Sequence, residues 1–234
     1  MKRRTLLKAA PVVAAMAAKA IASGEEPAAQ KLEPVTLPKP ETEGGKSVLA
    51  ALKERRTIRE TSSKPLPLQT LSNLLWAAWG VNREKGPFDQ IGRTAASASN
   101  SQEIDIYVAM AEGVYLYDAP AHRLTPVVAL DVRAKCGNRG RTLGVEAPVR
   151  LIFVANLARY NSAGFDEPGL HNAEIQKSYY NVATGLIAAN VYLYAASEGL
   201  AAWFHNCDKT ALAKDLKLSP EERVLYAQTV GYPA

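Results

Sequence analysis

The sequence predicts an α+β domain whose mixed β-sheet is flanked by helices. Residues 104–110 (IDIYVAM) alternate apolar and polar side chains, a pattern typical of a half-buried strand. Residues 149–155 (VRLIFVA) are almost entirely apolar and predict a central strand, whereas residues 113–124 (GVYLYDAPAHRL) predict a hairpin. A long helical segment covers about residues 175–198. Because strands and helices alternate irregularly and include a hairpin, the pattern indicates the α+β class.

Start and stop signals define two helices before the first strand. Ser47 caps a predicted helix that runs to about residue 56. Apolar residues at helical spacing predict a second helix between Leu68 and Trp79, with Gly80 as its stop. The apolar stripe of the first helix consists of Val48, Leu49 and Leu52.

The C-terminal part predicts two more helices and a strand. Gly199 ends the long helix, and Asp208 opens another. The run Ser219-Pro220-Glu221-Glu222 combines a cap, a proline at the first helical position and a capping-box acid. Residues 224–232 (VLYAQTVGY) predict a last strand.

Residues 1–24 have the pattern of an export signal. A basic start is followed by a weakly apolar, alanine-rich run and by small-x-small cleavage sequences. The apolar run is about half the length needed to cross a bilayer, so a stable membrane anchor is not expected. Residues 3–8 (RRTLLK) resemble the twin-arginine export motif, with an ordinary secretory signal as the alternative. The expected location is therefore periplasmic or otherwise extracytoplasmic.

Removal of this segment makes the chain formally neutral. The whole sequence has 28 basic and 23 acidic residues, and residues 1–24 contain five of the basic residues and no acid. The remaining chain thus has 23 of each sign. A neutral chain gives no electrostatic case for nucleic acid or anionic membrane as a partner.

The rest of the sequence divides into a linker and one domain. Residues 25–46 are rich in proline, glycine and charge, so they predict an extended or disordered linker, laid along the body at residues 35–38. Residues 47–234 suit a single domain with a substantial core.

The two cysteines, Cys136 and Cys207, match no metal-ligand spacing, and no metal site is expected. An extracytoplasmic location would permit a disulfide between them. Export in the folded state favours two unpaired thiols instead.

Arg55, Arg56 and Arg59 place three permanent cations within five residues. They could be a solvated helix end, where basic side chains suit the carbonyl dipole. Together with the Thr57 hydroxyl they could also clamp a phosphate through charge-assisted hydrogen bonds. A second segment, residues 92–102 (GRTAASASNSQ), is small, rich in hydroxyls and able to let a flat polar ligand approach the backbone.

Taken together, these segments resemble the FMN-dependent nitroreductase family. Residues 55–59 are similar to its RRS-x-R opening, and residues 97–102 to its S-x-x-N-x-Q flavin segment. Residues 188–200 look like its long helix with a following G-L turn, and residues 227–233 like its final strand. The hairpin with YLYD and HRL is similar to that of the azoline-dehydrogenase-like branch.

The resemblance implies a nitroreductase-like homodimer with FMN at the subunit interface. Arg55, Arg56 and Thr57 would hold the FMN phosphate, and Arg59 would lie near the pyrimidine end of the ring, where reduction places negative charge. The segment from the other subunit would contribute Ser97, Ala98, Asn100 and Gln102. The ring would be lined by Phe204, His205 and Asn206. No catalytic residue can be assigned; His122 is expected on the hairpin surface and His171 in a loop over the site.

The sequence departs from the usual pattern of the family in several places. The sequence ends at Ala234 without the further basic residue that relatives often place after the last strand to help bind phosphate. The segment 201–206 (AAWFHN) is bulkier than the glycine-rich sequence usual there, and an adjacent Lys-Tyr pair linked to azoline oxidation is missing.

Two hypotheses follow for the function. The first is an exported FMN oxidoreductase with ping-pong chemistry on a small-molecule substrate. NAD(P)H would be the family's electron donor, but it is scarce outside the cytoplasm. The second is a noncatalytic extracytoplasmic binding protein that retains the fold. A third possibility is a dehalogenase-like or flavin-fragmenting enzyme, which shares the fold, but no residue of this sequence specifically supports it. Twin-arginine export fits the first hypothesis, because it carries proteins already folded around a cofactor.

Overall fold

A seven-stranded β-sheet lies at the centre of the computed structural model, which describes residues 31–137 and 147–234. The predicted export signal and residues 25–30 of the predicted linker lie outside the described residues. Nine strands and four α-helices are present in the described part.

The strands are β1 (Val35–Thr36), β2 (Val81–Arg83), β3 (Gly92–Arg93), β4 (Ile104–Ala109), β5 (Val114–Asp118), β6 (Arg123–Val128), β7 (Val149–Asn156), β8 (Ala201–His205) and β9 (Glu222–Gly231). The helices are α1 (Val48–Glu54), α2 (Leu68–Trp79), α3 (Ala173–Glu198) and α4 (Lys209–Asp215). Short 3₁₀ helices occupy Pro87–Asp89, Ala98–Asn100, Arg133–Cys136, Leu157–Ser162 and Pro168–His171.

The main sheet has the order β1-β6-β5-β4-β7-β9-β8, and β2 and β3 form a separate ribbon. The pairings of the main sheet are antiparallel. Strand β7 lies at its centre between β4 and β9, as its apolar sequence predicts, and the predicted hairpin is β5–β6. The α+β class with helices flanking a sheet is confirmed.

Both faces of the sheet are covered, which corrects one prediction. All six residues of β4 are buried, although its alternating sequence predicts a half-buried strand. Ile104, Ile106 and Val108 pack in the cluster that includes residues of α2 and α3. Tyr107 and Ala109 pack in the opposite cluster, which includes residues of α4 and of the 3₁₀ helix Arg133–Cys136. The polar position Asp105 is buried as well, because Arg159 pairs with it.

Helix α1 begins where its cap predicts. The Ser47 hydroxyl accepts a hydrogen bond from the Ala50 backbone N–H at 3.3 Å. The predicted apolar stripe does not pack on this chain's own core, because Ala51 is the buried residue of the helix. The stripe residues are 52–79% exposed: Val48, Leu49 and Leu52.

The long helix α3 also matches its signals. It begins after Asn172, whose side chain caps two backbone N–H groups, and it ends at Gly199. Gly199 has a φ of 68°, in the left-handed region that favours glycine. Helix α4 is capped by Asp208, which accepts a hydrogen bond from the Ala211 N–H.

The predicted helix start at Ser219 is wrong. The Ser219 N–H donates to the Glu222 carboxylate at 2.8 Å, and the Glu222 N–H donates to the Ser219 carbonyl at 3.1 Å. One capping-box hydrogen bond and one backbone hydrogen bond therefore close a single turn. The chain then enters β9, because both neighbouring strands, β7 and β8, pair with it. The predicted last strand is thus present and begins at Glu222.

Two further observations concern the ends and the cysteines. Strand β1 pairs with β6, and Leu37 beyond it is buried, so this part of the N-terminal arm lies along the body. Cys136 and Cys207 are both buried free thiols, and burial raises their pKa values to about 12 and about 11. In residues 31–137 and 147–234, no helix is both long and apolar enough to span a bilayer.

Candidate functional site

The arginine segment that follows α1 is held in an extended course by the backbone. The Arg55 N–H closes α1 on the Ala51 carbonyl at 2.8 Å. The Ile58 N–H then donates to the Ala202 carbonyl of β8 at 3.0 Å. Beyond it, the Ser62 N–H donates to the Tyr232 carbonyl at 2.9 Å. The segment is thereby fixed beside the edge strand β8 and the C-terminal residues.

A cavity of about 500 Å³ opens at the start of this segment. It is bounded by the ends of α1 and α3, and three basic residues line it, namely Lys53, Arg55 and Arg56. The one acid in its lining, Glu54, pairs with Lys46 at 2.7 Å, and this hydrogen bond lowers the pKa of Glu54. The three cations form no ion pair within the described residues, so the cavity has excess positive charge suited to an anion.

The side chain of Tyr192 connects two parts of the predicted site. Its hydroxyl lies 3.2 Å from the Thr57 hydroxyl and accepts a hydrogen bond from the Phe204 N–H at 2.8 Å. The Arg55 guanidinium lies over its ring, 5.3 Å from the centroid. Arg55, Thr57 and Phe204 are therefore brought together around one residue of α3.

Arg59 lies beside β8, next to the side chain of Trp203. Its guanidinium is over the Trp203 ring, 5.4 Å from the centroid, and the Trp203 ring is 4.6 Å from the His205 ring. Trp203 thus separates the exposed Arg59 charge from the buried imidazole of His205. A cation, an indole and an imidazole follow one another along this edge of the sheet.

His205 is a buried neutral residue. It is 8% exposed, and its Nδ1 lies 2.9 Å from the Asn206 carbonyl oxygen, which can only accept, so Nδ1 carries the proton. Nε2 then accepts from the Thr229 hydroxyl at 2.9 Å. Burial lowers the pKa of His205. Both ring nitrogens are engaged, so the imidazole supports the strand and does not present a free base.

The two neighbours of His205 differ in environment. Phe204 is half-buried, with its ring centroid 4.9 Å from that of Tyr226 and 6.0 Å from that of Phe153. The Asn206 side chain is exposed. An aromatic surface and an exposed amide therefore follow each other at the end of β8.

The second predicted segment is a strained loop. Ser99, Asn100 and Gln102 all have φ near +50°, a conformation that non-glycine residues adopt at a cost. The Ser97 hydroxyl accepts from the Gln102 N–H at 3.0 Å, and the Ser101 N–H donates to the Ala98 carbonyl at 2.9 Å. These bonds hold the loop tightly in spite of the strain.

The amide side chains of the loop are engaged by residues that precede it in the chain. Asn100 donates to the Gln90 side chain and to the Ile91 carbonyl. Gln102 donates to the same carbonyl at 2.8 Å and accepts from Arg93 at 2.6 Å. Within the described residues, no hydrogen bond joins this loop to the arginine segment, so the chain by itself presents the two predicted halves separately.

The other two histidines occupy different settings. His122, expected on the hairpin surface, is half-buried: its Nε2 bonds the Ser72 hydroxyl at 2.7 Å, and its Nδ1 bonds the Tyr117 hydroxyl at 3.0 Å. That expectation is wrong, because the hairpin folds back on α2. His171 is exposed and pairs with Asp166 at 2.6 Å.

The roles of two residues of the site were not predicted from the sequence. Lys53 lies two positions before Arg55, where it reads as a surface residue of α1. Tyr192 lies within the recognised helix motif, but it is 135 positions from Thr57, so its contact with that residue is not visible in the sequence. Only the basic character of residues 53–59 could have pointed to Lys53.

Comparison with known proteins gives consistent matches. A family model described as the nitroreductase family matches residues 52–232. A candidate nitroreductase of Methanocaldococcus jannaschii is 33% identical over 160 residues, 63% of this chain and 72% of that protein. The crystal structure of a candidate nitroreductase from Ralstonia eutropha JMP134 superposes with a TM-score of 0.76 at 36% identity, covering 87% of this chain and 90% of that one.

A more distant structure has the same fold. A chain of the Escherichia coli microcin synthetase McbBCD complex, solved with truncated pro-MccB17 bound, superposes with a TM-score of 0.64 at 16% identity. The match covers 99% of this chain and 85% of that one.

Proposed function

The chain belongs to the nitroreductase family, and on that basis we propose that it is an exported FMN-dependent oxidoreductase acting on a small organic substrate. The observation that carries the proposal is the cavity of about 500 Å³ lined by Lys53, Arg55 and Arg56. Its excess positive charge suits the phosphate of FMN, at the position where the family motif begins.

The residues fit a phosphate for a physical reason. Guanidinium groups bind phosphate oxygens through paired, charge-assisted hydrogen bonds, and no acid in the lining competes, because Lys46 engages Glu54. Lys53 would supply an additional cation beside the two guanidinium groups.

The ring system would lie along the end of β8. Phe204 offers an aromatic surface there, Asn206 an exposed amide, and Arg59 a fixed positive charge toward the pyrimidine end. His205 would act through its neighbours, because both of its ring nitrogens are occupied. FMN, when bound, supplies the hydride chemistry, with one molecule reducing it and another reoxidising it in ping-pong order.

We propose a homodimer as the functional unit. Val182 and Leu186 are 60% and 43% exposed on α3, and with Gly185 and Ala189 they form an exposed stripe at helical spacing. The apolar residues of α1 are exposed too. Apolar faces of this kind are unusual on monomers, and a second copy would cover them. The second copy would also bring Ser97, Ala98, Asn100 and Gln102 to the flavin.

Export is proposed from the sequence of residues 1–24. Replacement of Arg3 and Arg4 by lysine keeps the charge and removes the twin-arginine pair. If the proposal holds, the variant accumulates in the cytoplasm while the wild-type chain is recovered extracytoplasmically. Equal export of both would leave an ordinary secretory signal, and cytoplasmic wild-type protein would remove the export proposal.

The electron donor depends on that result. The family uses NAD(P)H, whereas an exported enzyme needs a donor that is present outside the cytoplasm. The hairpin sequence supports a place near the azoline-dehydrogenase-like branch. The missing Lys-Tyr pair argues against azole formation and for general flavin redox chemistry.

The first experiment is a visible absorption spectrum of the protein purified from its native compartment. A flavin spectrum that dithionite bleaches supports the proposal, and bleaching by NADH identifies nicotinamide as a competent donor. A colourless protein that also fails to take up added FMN overturns it. That outcome with an intact dimer would leave the noncatalytic binding protein, which the family relationship does not favour.

A further inference from the structure

A second polar cavity is lined by Arg93, whose side chain bonds Gln102 of the strained loop. Its volume is about 300 Å³, and it lies between the start of β4 and the β5–β6 hairpin. Leu116, Pro120 and the ring of Trp79 form apolar walls, and two arginines, Arg93 and Arg159, supply positive charge. None of the residues proposed for the flavin lines this cavity.

One of the two lining arginines, Arg93, has no ion-pair partner in the described part of the chain. Arg159 pairs with Asp105, and Arg123 pairs with Asp118 at 2.9 Å, so both lining carboxylates are already engaged. Arg93 has no ion pair within the described residues. The nearby carboxylates thus do not neutralise Arg93 directly.

Arg93 is held in place by neutral groups. Its Nε donates to the Gln102 side chain at 2.6 Å, and its Nη1 donates to the Trp79 carbonyl at 3.1 Å. The guanidinium also lies over the Trp79 ring, 5.2 Å from the centroid. Burial lowers the pKa of Arg93 to about 10. Arg93 is half-buried, and a guanidinium that is partly removed from water with only neutral acceptors is costly unless an anion is available.

A second donor has no partner. Trp79 is 2% exposed, and its indole Nε1–H is buried without a hydrogen bond to any described residue. An orphaned buried N–H is uncommon, because it costs about 1–3 kcal/mol in lost hydration. Because this N–H has almost no exposed surface, a ligand in the cavity would not reach it directly. The guanidinium without an ion pair and the apolar walls together call for a ligand with one negative charge and an apolar body.

We propose that this cavity binds a small monocarboxylate, with Arg93 as the donor to its carboxylate and Leu116 and Pro120 against its body. The cavity is linked to the loop of residues 97–102, because Arg93 bonds the Gln102 side chain and Arg159 donates to the Gln102 carbonyl at 2.8 Å. A bound carboxylate therefore acts on the same residue that anchors the loop.

The test is calorimetric titration of the full chain with benzoate, a monocarboxylate with an apolar ring. Benzyl alcohol serves as the neutral analogue and formate as a carboxylate without an apolar body. The proposal expects benzoate to bind and the other two to bind at least about tenfold more weakly, since each loses either the charge or the packing. Equal binding of benzoate and benzyl alcohol would overturn it.

Two variants locate the site. Arg93→Gln removes the charge and should weaken benzoate binding by about tenfold or more. Trp79→Phe keeps a ring beneath Arg93 but removes part of the apolar wall of the cavity, so it should bind benzoate several-fold more weakly. Arg83→Gln is the matched control, since Arg83 is exposed and outside the lining. Benzoate binding that neither variant changes would place the ligand elsewhere and refute the site.

The result is separate from the flavin proposal. Benzoate titration reads binding directly, and FMN content is measured on the same sample. Should Arg93→Gln fail to fold, Trp79→Phe decides, once its unfolding curve shows that it is folded under the titration conditions. No binding of benzoate to the folded wild-type protein would remove the proposal whatever its flavin content.

Discussion

The hydroxyl of Tyr192 lies 3.2 Å from the hydroxyl of Thr57. Since the Phe204 N–H donates to the same tyrosine oxygen, that oxygen is already an acceptor, and its own proton is free to point toward Thr57. One residue of α3 thereby ties the phosphate side of the proposed site to the ring side. Arg55 over the tyrosine ring adds a third connection.

Tyr192→Phe should loosen this junction. The variant keeps the ring beneath Arg55 but leaves the Phe204 N–H without its acceptor. We expect a loss of about 1–2 kcal/mol in unfolding free energy, and a several-fold weaker retention of FMN. Denaturant unfolding and flavin release during dialysis are the measurements.

Tyr115→Phe is the control for Tyr192→Phe. Tyr115 lies in β5, and its hydroxyl makes no hydrogen bond to the residues described in the structure. If both variants lose flavin equally, the Tyr192 hydroxyl is not what positions the site.

Arg55→Gln should distinguish FMN from riboflavin. Riboflavin lacks the phosphate, so removal of a phosphate-binding cation should weaken FMN by about ten- to a hundredfold and leave riboflavin nearly unchanged. Fluorescence titration of apoprotein with each flavin gives the two affinities.

Lys53→Gln tests the residue that the sequence alone does not indicate. A flexible ammonium makes less directional contacts than a guanidinium. Its loss should therefore also weaken FMN binding more than riboflavin binding, but by a smaller factor than Arg55→Gln does. The exposed Arg83→Gln is the control. Equal losses for FMN and riboflavin would show that these cations support the fold or the ring, and not the phosphate.

Local patterns predicted most of the elements. The Ser47 and Asp208 caps, the Gly199 stop and the apolar run of β7 each depend on neighbouring residues, and each is where the sequence places it. The start of β9 is not, because the Ser219–Glu222 hydrogen bonds suit a turn as well as a helix. Pairing with two strands from elsewhere in the chain decides between them.

The residues of the site show the same contrast between local signals and contacts distant in the chain. Motif residues such as Arg55 and Thr57 stand together in the sequence and could be selected from it. Tyr192 could not, because its role comes from contacts with residues distant in the chain. The amides of Asn100 and Gln102 look available in the sequence, but in the structure they donate to Gln90 and to the Ile91 carbonyl.

His205 should make stability depend on pH in the acid range. Burial lowers its folded-state pKa below the ordinary value of 6.5, so on acidification the unfolded chain binds the proton first. Its contribution to stability is complete above pH 6.5 and is lost as pH falls toward the folded-state pKa, by at most about 1.4 kcal/mol per pH unit.

A direct comparison isolates this effect. His122 has a lowered pKa and acts in the same direction, whereas burial raises the pKa values of Glu103 and Asp105, which act oppositely. The useful quantity is therefore the difference in unfolding free energy between the wild type and His205→Gln, followed from pH 7.5 down to about 5. This difference should shrink on acidification. A difference independent of pH would mean that His205 is not held neutral.

The exposed stripe on α3 predicts how assembly and flavin binding are linked. Leu186→Glu puts a charge into an apolar face, and burying an unpaired carboxylate against a second copy is costly. We expect the variant to become monomeric by light scattering and to lose flavin, because the loop of residues 97–102 would no longer reach its partner's site. Leu130→Glu, at a residue 41% exposed outside α1 and α3, should remain dimeric and coloured. A monomeric Leu186→Glu protein that keeps its flavin would show that one chain completes the site alone, and a monomeric wild type would remove the dimer from the proposal.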